Sequence, residues 1–200
     1  MAGDNSRQTP SQTVGPFFAY GLTAGQYGYR PARQIAGATL TDETGAATPV
    51  RITGQVFDGA GQPVNDAMIE IWQADATGRY AHPADSRGTN TGFRGFARAG
   101  TGADDSLTFT FDTIRPGSVD GQQAPHLNVV VFMRGLLNHC HTRVYFPEDA
   151  DLQAQDPVMQ AVPADRRRTL IATRQPDGAG AVYRFDIHMQ GPDETVFFDI

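Results

Sequence analysis

The sequence predicts an all-β chain: a β-sandwich with long loops, short helical segments and an extended N-terminal arm. Three observations carry that expectation. Short runs rich in Val, Ile, Phe and Tyr alternate apolar and polar residues at period two, as half-buried strands do. Turn chemistry punctuates them, with 22 Gly and 13 Pro in 200 residues, so the strands must be short. Only residues 149–168 carry a helical signal, acidic early and ending in Arg166-Arg167-Arg168, and Pro157 and Pro163 break it into pieces. The length suits one core with an arm, divided as residues 1–49 (arm and partner-contacting excursion) and 50–200 (sandwich).

Taken in order, residues 1–9 read as a polar arm. Residues 9–18 read as extended, because Pro10 and Pro16 disfavour helix, and Phe17 and Phe18 need a pocket that another subunit can offer. Residues 21–49 are rich in Gly, Ala and Thr and lack periodicity. Residues 51–73 read as a hairpin turning at Asp58-Gly59, Gly61 and Pro63. In its second strand Met68, Glu70 and Trp72 share one face, and Ala67, Ile69, Ile71 and Gln73 the other. Residues 77–103 read as one long loop, a length that points to function or an interface. Strands are expected at 107–111, 125–132, 142–146, 170–174, 181–189 and 195–199, with Pro176-Asp177-Gly178 as a turn.

Composition excludes several classes. A net charge of −6 and a pI near 5.2 argue against a nucleic-acid surface. The single Cys140 excludes an intramolecular disulfide framework and fits a reducing compartment. No apolar run approaches a membrane span, and residues 1–11 lack the apolar region of a signal peptide, so a soluble cytoplasmic protein is expected. No Gly-rich phosphate loop, His-Glu-x-x-His or Gly-x-Ser-x-Gly occurs. His139-Cys140-His141 has the i, i+2 spacing of a metal pair on a strand, but that spacing is weak evidence and the preferred reading is a polar loop leading into the next strand. On residue types alone the function stays open.

The segment Gly54-Gln55-Val56-Phe57-Asp58 through Ile71-Trp72-Gln73-Ala74-Asp75-Ala76-Thr77-Gly78-Arg79-Tyr80 resembles the intradiol ring-cleavage dioxygenases. So do Phe109-Thr110-Phe111-Asp112-Thr113-Ile114-Arg115-Pro116-Gly117 and Ala124-Pro125-His126-Leu127-Asn128. Pro10-Ser11-Gln12-Thr13-Val14-Gly15-Pro16-Phe17 and Gly191-Pro192-Asp193-Glu194-Thr195-Val196-Phe197-Phe198-Asp199 look like the α chains of the family's two-chain members. That resemblance implies a non-haem Fe(III) held by two tyrosinates and two histidines, hard anionic and imidazole donors suited to the ferric ion. Tyr80 and His126 stand at two of those positions. Ser118 and Asn128 stand where the second Tyr and second His would be, so the resemblance implies a vestigial site here and iron held by a partner β chain. It also implies a contribution across the interface from Thr13, Gly15, Pro16 and Arg134, with Arg134 facing the carboxylate of the substrate, protocatechuate. The implied reaction of the α/β complex is O2-dependent cleavage between the two hydroxylated carbons, giving 3-carboxy-cis,cis-muconate in the β-ketoadipate pathway of aromatic catabolism. Two other readings stay open: a non-catalytic transthyretin-like binding module, and a self-sufficient homo-oligomeric dioxygenase that would need four ligands.

Overall fold

The computed structural model describes residues 10–15, 17–30, 35–40, 47–87, 92–176 and 180–200. Two four-stranded sheets face each other. The first has the order β5 (Phe109–Ile114), β1 (Pro49–Gly54), β9 (Ala181–Arg184), β8 (Thr173–Arg174). The second has the order β4 (Phe96–Gly100), β3 (Met68–Gln73), β6 (His126–Phe132), β7 (Cys140–Tyr145). A short parallel ladder joins β2 (Val56–Phe57) to β10 (Ile187–His188). The sheets do not close into a barrel.

Alternation explains why the sheets pack. Val50 and Ile52 of β1 and Phe109 and Phe111 of β5 point inward, against Ile69, Ile71, Ala97, Ala99, Leu127, Val129, Val131 and Val144 of the second sheet. Each large aliphatic or aromatic side chain sealed there contributes about 1.5–3 kcal/mol of burial. The alternate residues of the second sheet are left on its outer face. Antiparallel register sets Trp72 opposite Phe96 and Asn128, Asn128 opposite Arg143, and His126 opposite Tyr145. One end of that face is covered by the segment after β7, which holds a 3-10 turn (Pro147–Asp149), α2 (Ala150–Gln153), α3 (Pro157–Ala161) and a second 3-10 turn (Arg167–Leu170). Met159, Val162 and Leu170 pack there with Ala124 and Tyr145 in a second apolar cluster. Asp156 caps α3 by accepting from the Val158 and Met159 N–H groups at 2.8 and 3.2 Å. The Arg115 guanidinium fastens the same segment, lying 3.6 Å from the Phe146 ring centroid and pairing with Asp149 at 2.5 Å.

The sandwich, the Pro-divided helical stretch and the facing of β3 agree with the expectations above. Several elements differ. The expected hairpin at 51–73 does not pair with itself: β1 joins the first sheet and β3 the second, so the connection crosses the sandwich. Its turn residues serve a local loop closed by Val64 N–H on the Val56 carbonyl at 2.8 Å. The supposed long loop at 77–103 contains β4, whose inward residues Ala97 and Ala99 are too small to announce a strand. β7 begins at Cys140, so Cys140 and His141 belong to the strand and not to a loop before it. Phe17 and Phe18 are not extended: α1 (Phe18–Leu22) starts there, with Gly21 N–H on the Phe17 carbonyl at 3.0 Å. A 3-10 turn (Ala24–Tyr27) follows inside the stretch that showed no periodicity. The expected strand at 195–199 reduces to one bridge, His141 with Phe198, because Thr195 is held instead by β10. The expected arm at 1–9 and most of the Pro176-Asp177-Gly178 turn lie outside the described residues. Among the described residues no helix is long and apolar enough to cross a membrane.

Candidate functional site

The outer face of the second sheet is flanked by the β3–β4 loop, which brings Tyr80 to Asn128, and by the helical cover packed on Tyr145. The loop is shaped by Asp75, whose Oδ1 accepts from the Thr77 and Arg79 N–H groups and the Thr77 hydroxyl at 2.7–3.1 Å. Gly78 sits at φ 80°, and a Cβ there would meet the Ser118 carbonyl at 1.9 Å. This close approach sets residues 117–118 against the loop that presents Tyr80. Tyr80 is secured on the other side by Asp85, which accepts its N–H at 2.9 Å and is gripped by Arg87.

Tyr80 lies on the sheet face, stacked on Trp72 at 5.7 Å and 13°. Its phenol oxygen accepts a hydrogen bond from Asn128 Nδ2 at 2.9 Å, and the same amide group donates to the Trp72 carbonyl at 3.2 Å. Burial pushes the Tyr80 phenol above its ordinary pKa, against the opposing pull of Asn128 and the Arg143 charge. Two residues along β6, His126 is 2 % exposed. Its Nδ1 lies 2.8 Å from the Ala124 carbonyl, which can only accept, so Nδ1 carries the proton. Nε2 is thereby a bare lone pair, buried and without a partner among the described residues. Burial first, and the Arg143 charge second, bring the His126 pKa down to about 4. Opposite His126, Tyr145 is fully buried, takes a hydrogen bond from Arg143 at 3.2 Å, and is pushed by burial up to about 12. The Ser118 hydroxyl is committed to the Gln123 carbonyl, to which it donates at 2.6 Å.

The structure therefore brings Tyr80, His126 and Asn128 together, with Ser118 on the adjoining loop. It places Thr13, Gly15 and Arg134 elsewhere, at the far end of β6. There the Thr13 hydroxyl accepts the Gly135 N–H at 2.8 Å, and the Gly15 carbonyl accepts the Phe18 N–H at 3.1 Å. Arg134 is exposed and pairs with Asp66. Pro16 lies outside the described residues. Phe18 packs on Phe132 with centroids 5.5 Å apart, whereas Phe17 is 79 % exposed beside it. Sequence reasoning missed Arg143. The signal was its register: it stands directly opposite Asn128, and a charged residue between the buried Thr142 and Val144 must point out of the core.

A sandwich with Tyr80, His126 and Asn128 on the outer face of its second sheet defines a class, and comparison with known proteins agrees. Residues 22–191 match the family described as Dioxygenase, and the chain belongs to that family, the intradiol ring-cleavage dioxygenases. It is 51% identical over 196 residues to the protocatechuate 3,4-dioxygenase alpha chain of Burkholderia cepacia, covering 97% of this chain and 98% of that one. It is 39% identical to the alpha chain of Pseudomonas putida, covering 96% of each, and 34% identical to the Burkholderia cepacia beta chain, covering 72% of this chain and 65% of that one. Among solved structures, the dioxygenase domain of a carbohydrate-binding fusion protein from Streptomyces sp. SirexAA-E superposes with a TM-score of 0.59, at 24% identity, over 95% of this chain and 100% of that one. Catechol 1,2-dioxygenase from Pseudomonas arvilla C-1 superposes at 0.57, with 20% identity, over 84% of this chain and 62% of that one.

Proposed function

We propose that this chain acts as the α subunit of a protocatechuate 3,4-dioxygenase and completes, across an interface, a substrate pocket whose non-haem Fe(III) is held by a β chain. The α/β complex cleaves protocatechuate between its two hydroxylated carbons, incorporating both atoms of O2, to give 3-carboxy-cis,cis-muconate. The near full-length identity to two α chains supports this, and one structural observation carries it. On the face of β6 that carries His126, the oxygen of the Tyr80 phenol is already engaged by Asn128.

The residues present do not fit a ferric ion. One imidazole nitrogen is available, but Asn128 offers a neutral amide in place of a second imidazole. Ser118 is committed to Gln123, and the Tyr80 oxygen is hydrogen-bonded by Asn128. The Arg143 cation, on the same face, would repel the metal. This face is accordingly vestigial with respect to iron, and no step of the reaction is assigned to it.

The contribution to catalysis is assigned instead to Thr13, Gly15, Pro16 and Arg134, of which Thr13, Gly15 and Arg134 stand at the other end of β6. Arg134 suits an anionic substrate, because a guanidinium fork orients and neutralises a carboxylate. Its pairing with Asp66 does not prevent this: an exposed ion pair is worth at most about 1 kcal/mol and exchanges readily. The reading includes residues 1–49 as a partner-contacting arm, residues 50–200 as the sandwich, and assembly of α/β protomers in the cytoplasm. Steady-state kinetics of the reconstituted complex with protocatechuate and catechol test it. Arg134→Ala should lose roughly tenfold to a hundredfold in kcat/KM for protocatechuate and much less for catechol, which has no carboxylate. Equal losses on both substrates, or none, would remove Arg134 from substrate recognition.

A further inference from the structure

His139 and His141 flank Cys140 at the start of β7, the edge strand of the second sheet. Because β7 begins at Cys140, strand alternation governs the pair. Cys140, Thr142 and Val144 turn toward the core, and His141 turns to the outer face. His139 meets it there. The two imidazole rings stand edge to face, with centroids 4.7 Å apart and planes at 78°. His139 is exposed and His141 half-buried, so the pair opens to solvent. Both are held in place. The His139 ring packs against Phe132, 5.3 Å away, and Phe132 packs in turn on Phe18. His141 is fixed by its pairing opposite Val130 and by its carbonyl, which accepts the Phe198 N–H at 2.8 Å. Arg143, the next outward residue of the strand, leans away from the pair and donates to the Tyr145 hydroxyl at 3.2 Å.

Two imidazoles at this separation can share one ion. An ion bound at about 2.0–2.1 Å by two adjacent imidazole nitrogens holds the ring centroids about 4.5–5.2 Å apart, for angles at the metal from about 90° to about 109°. The observed 4.7 Å falls inside that range. We propose that His139 and His141 form a two-histidine binding site for a divalent transition-metal ion of the copper–zinc class. Imidazole suits Cu(II), Ni(II) and Zn(II), whereas a ferric ion calls for hard anionic donors that this pair lacks. Among the described residues no group of three or more His, Cys, Asp or Glu side chains could hold a metal, so water fills the remaining positions. Cys140 is not a ligand, because its side chain packs against the core. Cu(II) binds more tightly than Zn(II), following the general order of divalent affinities. No step of ring cleavage is assigned to this site.

The probe is Cu(II), and then Zn(II), titrated calorimetrically into the untagged full chain near neutral pH, with copper EPR on the same samples. The expected result is one saturable Cu(II) per chain, weaker Zn(II), and nitrogen hyperfine splitting from imidazole. His139→Asn and His141→Asn should each weaken Cu(II) binding at least about tenfold, because even residues that only orient a metal ligand cost that much when removed. The double variant should abolish the site, whereas His188→Asn, on β10, should leave it intact. His139 is exposed, so His139→Asn reads the pair at unchanged circular dichroism even if His141→Asn disturbs the strand. Absent saturable binding, or Cu(II) binding that survives the double variant or His139→Asn undiminished, overturns the proposal and leaves the two rings as an edge-to-face contact.

Discussion

β6 has two ends with different fates. At its start, His126 and Asn128 stand between the helical cover on one side and the Tyr80 loop on the other, with the chain pinned there by Asp75, Asp85 and Asp156. Just past its other end, about 20 Å along the strand direction, Arg134 and the Thr13 segment lie in the open with one exposed ion pair and one side-chain-to-backbone hydrogen bond between them. The first region has the architecture of an active site and lacks the ligands. The second has almost no architecture and carries the groups proposed to touch substrate. On the proposed reading scaffold and chemistry are separated: the packing at the closed end folds the chain, and the groups proposed to touch substrate stand at the open end.

The largest expected effect strikes the closed end. Asp156 is fully buried and accepts three backbone N–H groups, tying α3 to the strand start at Ala124. Asp156→Ala removes a helix cap and leaves buried donors unsatisfied, and should cost about 3 kcal/mol or more in chemical denaturation. A loss below about 1 kcal/mol would mean that the cover does not hold this end of the sheet.

Acid should strike the same end. With the His126 pKa brought down from 6.5 to about 4, the unfolded chain binds a proton between those values and the folded chain does not. Stability is therefore full above about pH 6.5 and falls as pH drops toward 4, by on the order of 3 kcal/mol from this group. His126→Phe should flatten that dependence in denaturation curves taken across the range, and an unchanged slope would contradict a buried neutral imidazole.

The open end should respond in turnover and not in stability. Besides the substrate-selective loss in Arg134→Ala, Thr13→Ala removes one acceptor from the Gly135 N–H at an exposed site, where water replaces it. It should change denaturation by less than about 1 kcal/mol and lower kcat/KM only to the extent that the segment's position matters. A large stability loss there would break the contrast between the two ends. The smallest effect belongs to Ser118→Ala. Its hydroxyl serves only the Gln123 carbonyl, so turnover of the complex should not change.

Much of this was legible before any coordinates. The alternation of β3 told its two faces apart, and the clean alternation at 107–111 marked β5 as a strand, because burial on one side of a sheet enforces period two. Pro157 and Pro163 divided the helical cover as expected. The resemblance named Tyr80, His126 and Asn128; in the structure Asn128 stands two residues from His126 on β6 and donates to the Tyr80 phenol. Pairing was less legible. The turn-rich stretch between β1 and β3 looks like a hairpin, yet both strands carry enough buried aliphatic surface to belong to different sheets. β4 was hidden because Ala97 and Ala99 sit where facing side chains leave little room, so its inward positions are small. Arg143 escaped notice because its importance comes from register across β6 and β7, which no local pattern encodes.

The central claim is that the closed end of β6 keeps the shape of a metal site without holding the metal. Iron content and visible absorption of the purified full chain test it most directly. The account predicts no stoichiometric iron and no tyrosinate-to-ferric charge-transfer band, with iron appearing only when the β chain is present. One iron per chain accompanied by that band would contradict it, and would show that Tyr80 and His126 find other ligands on this face.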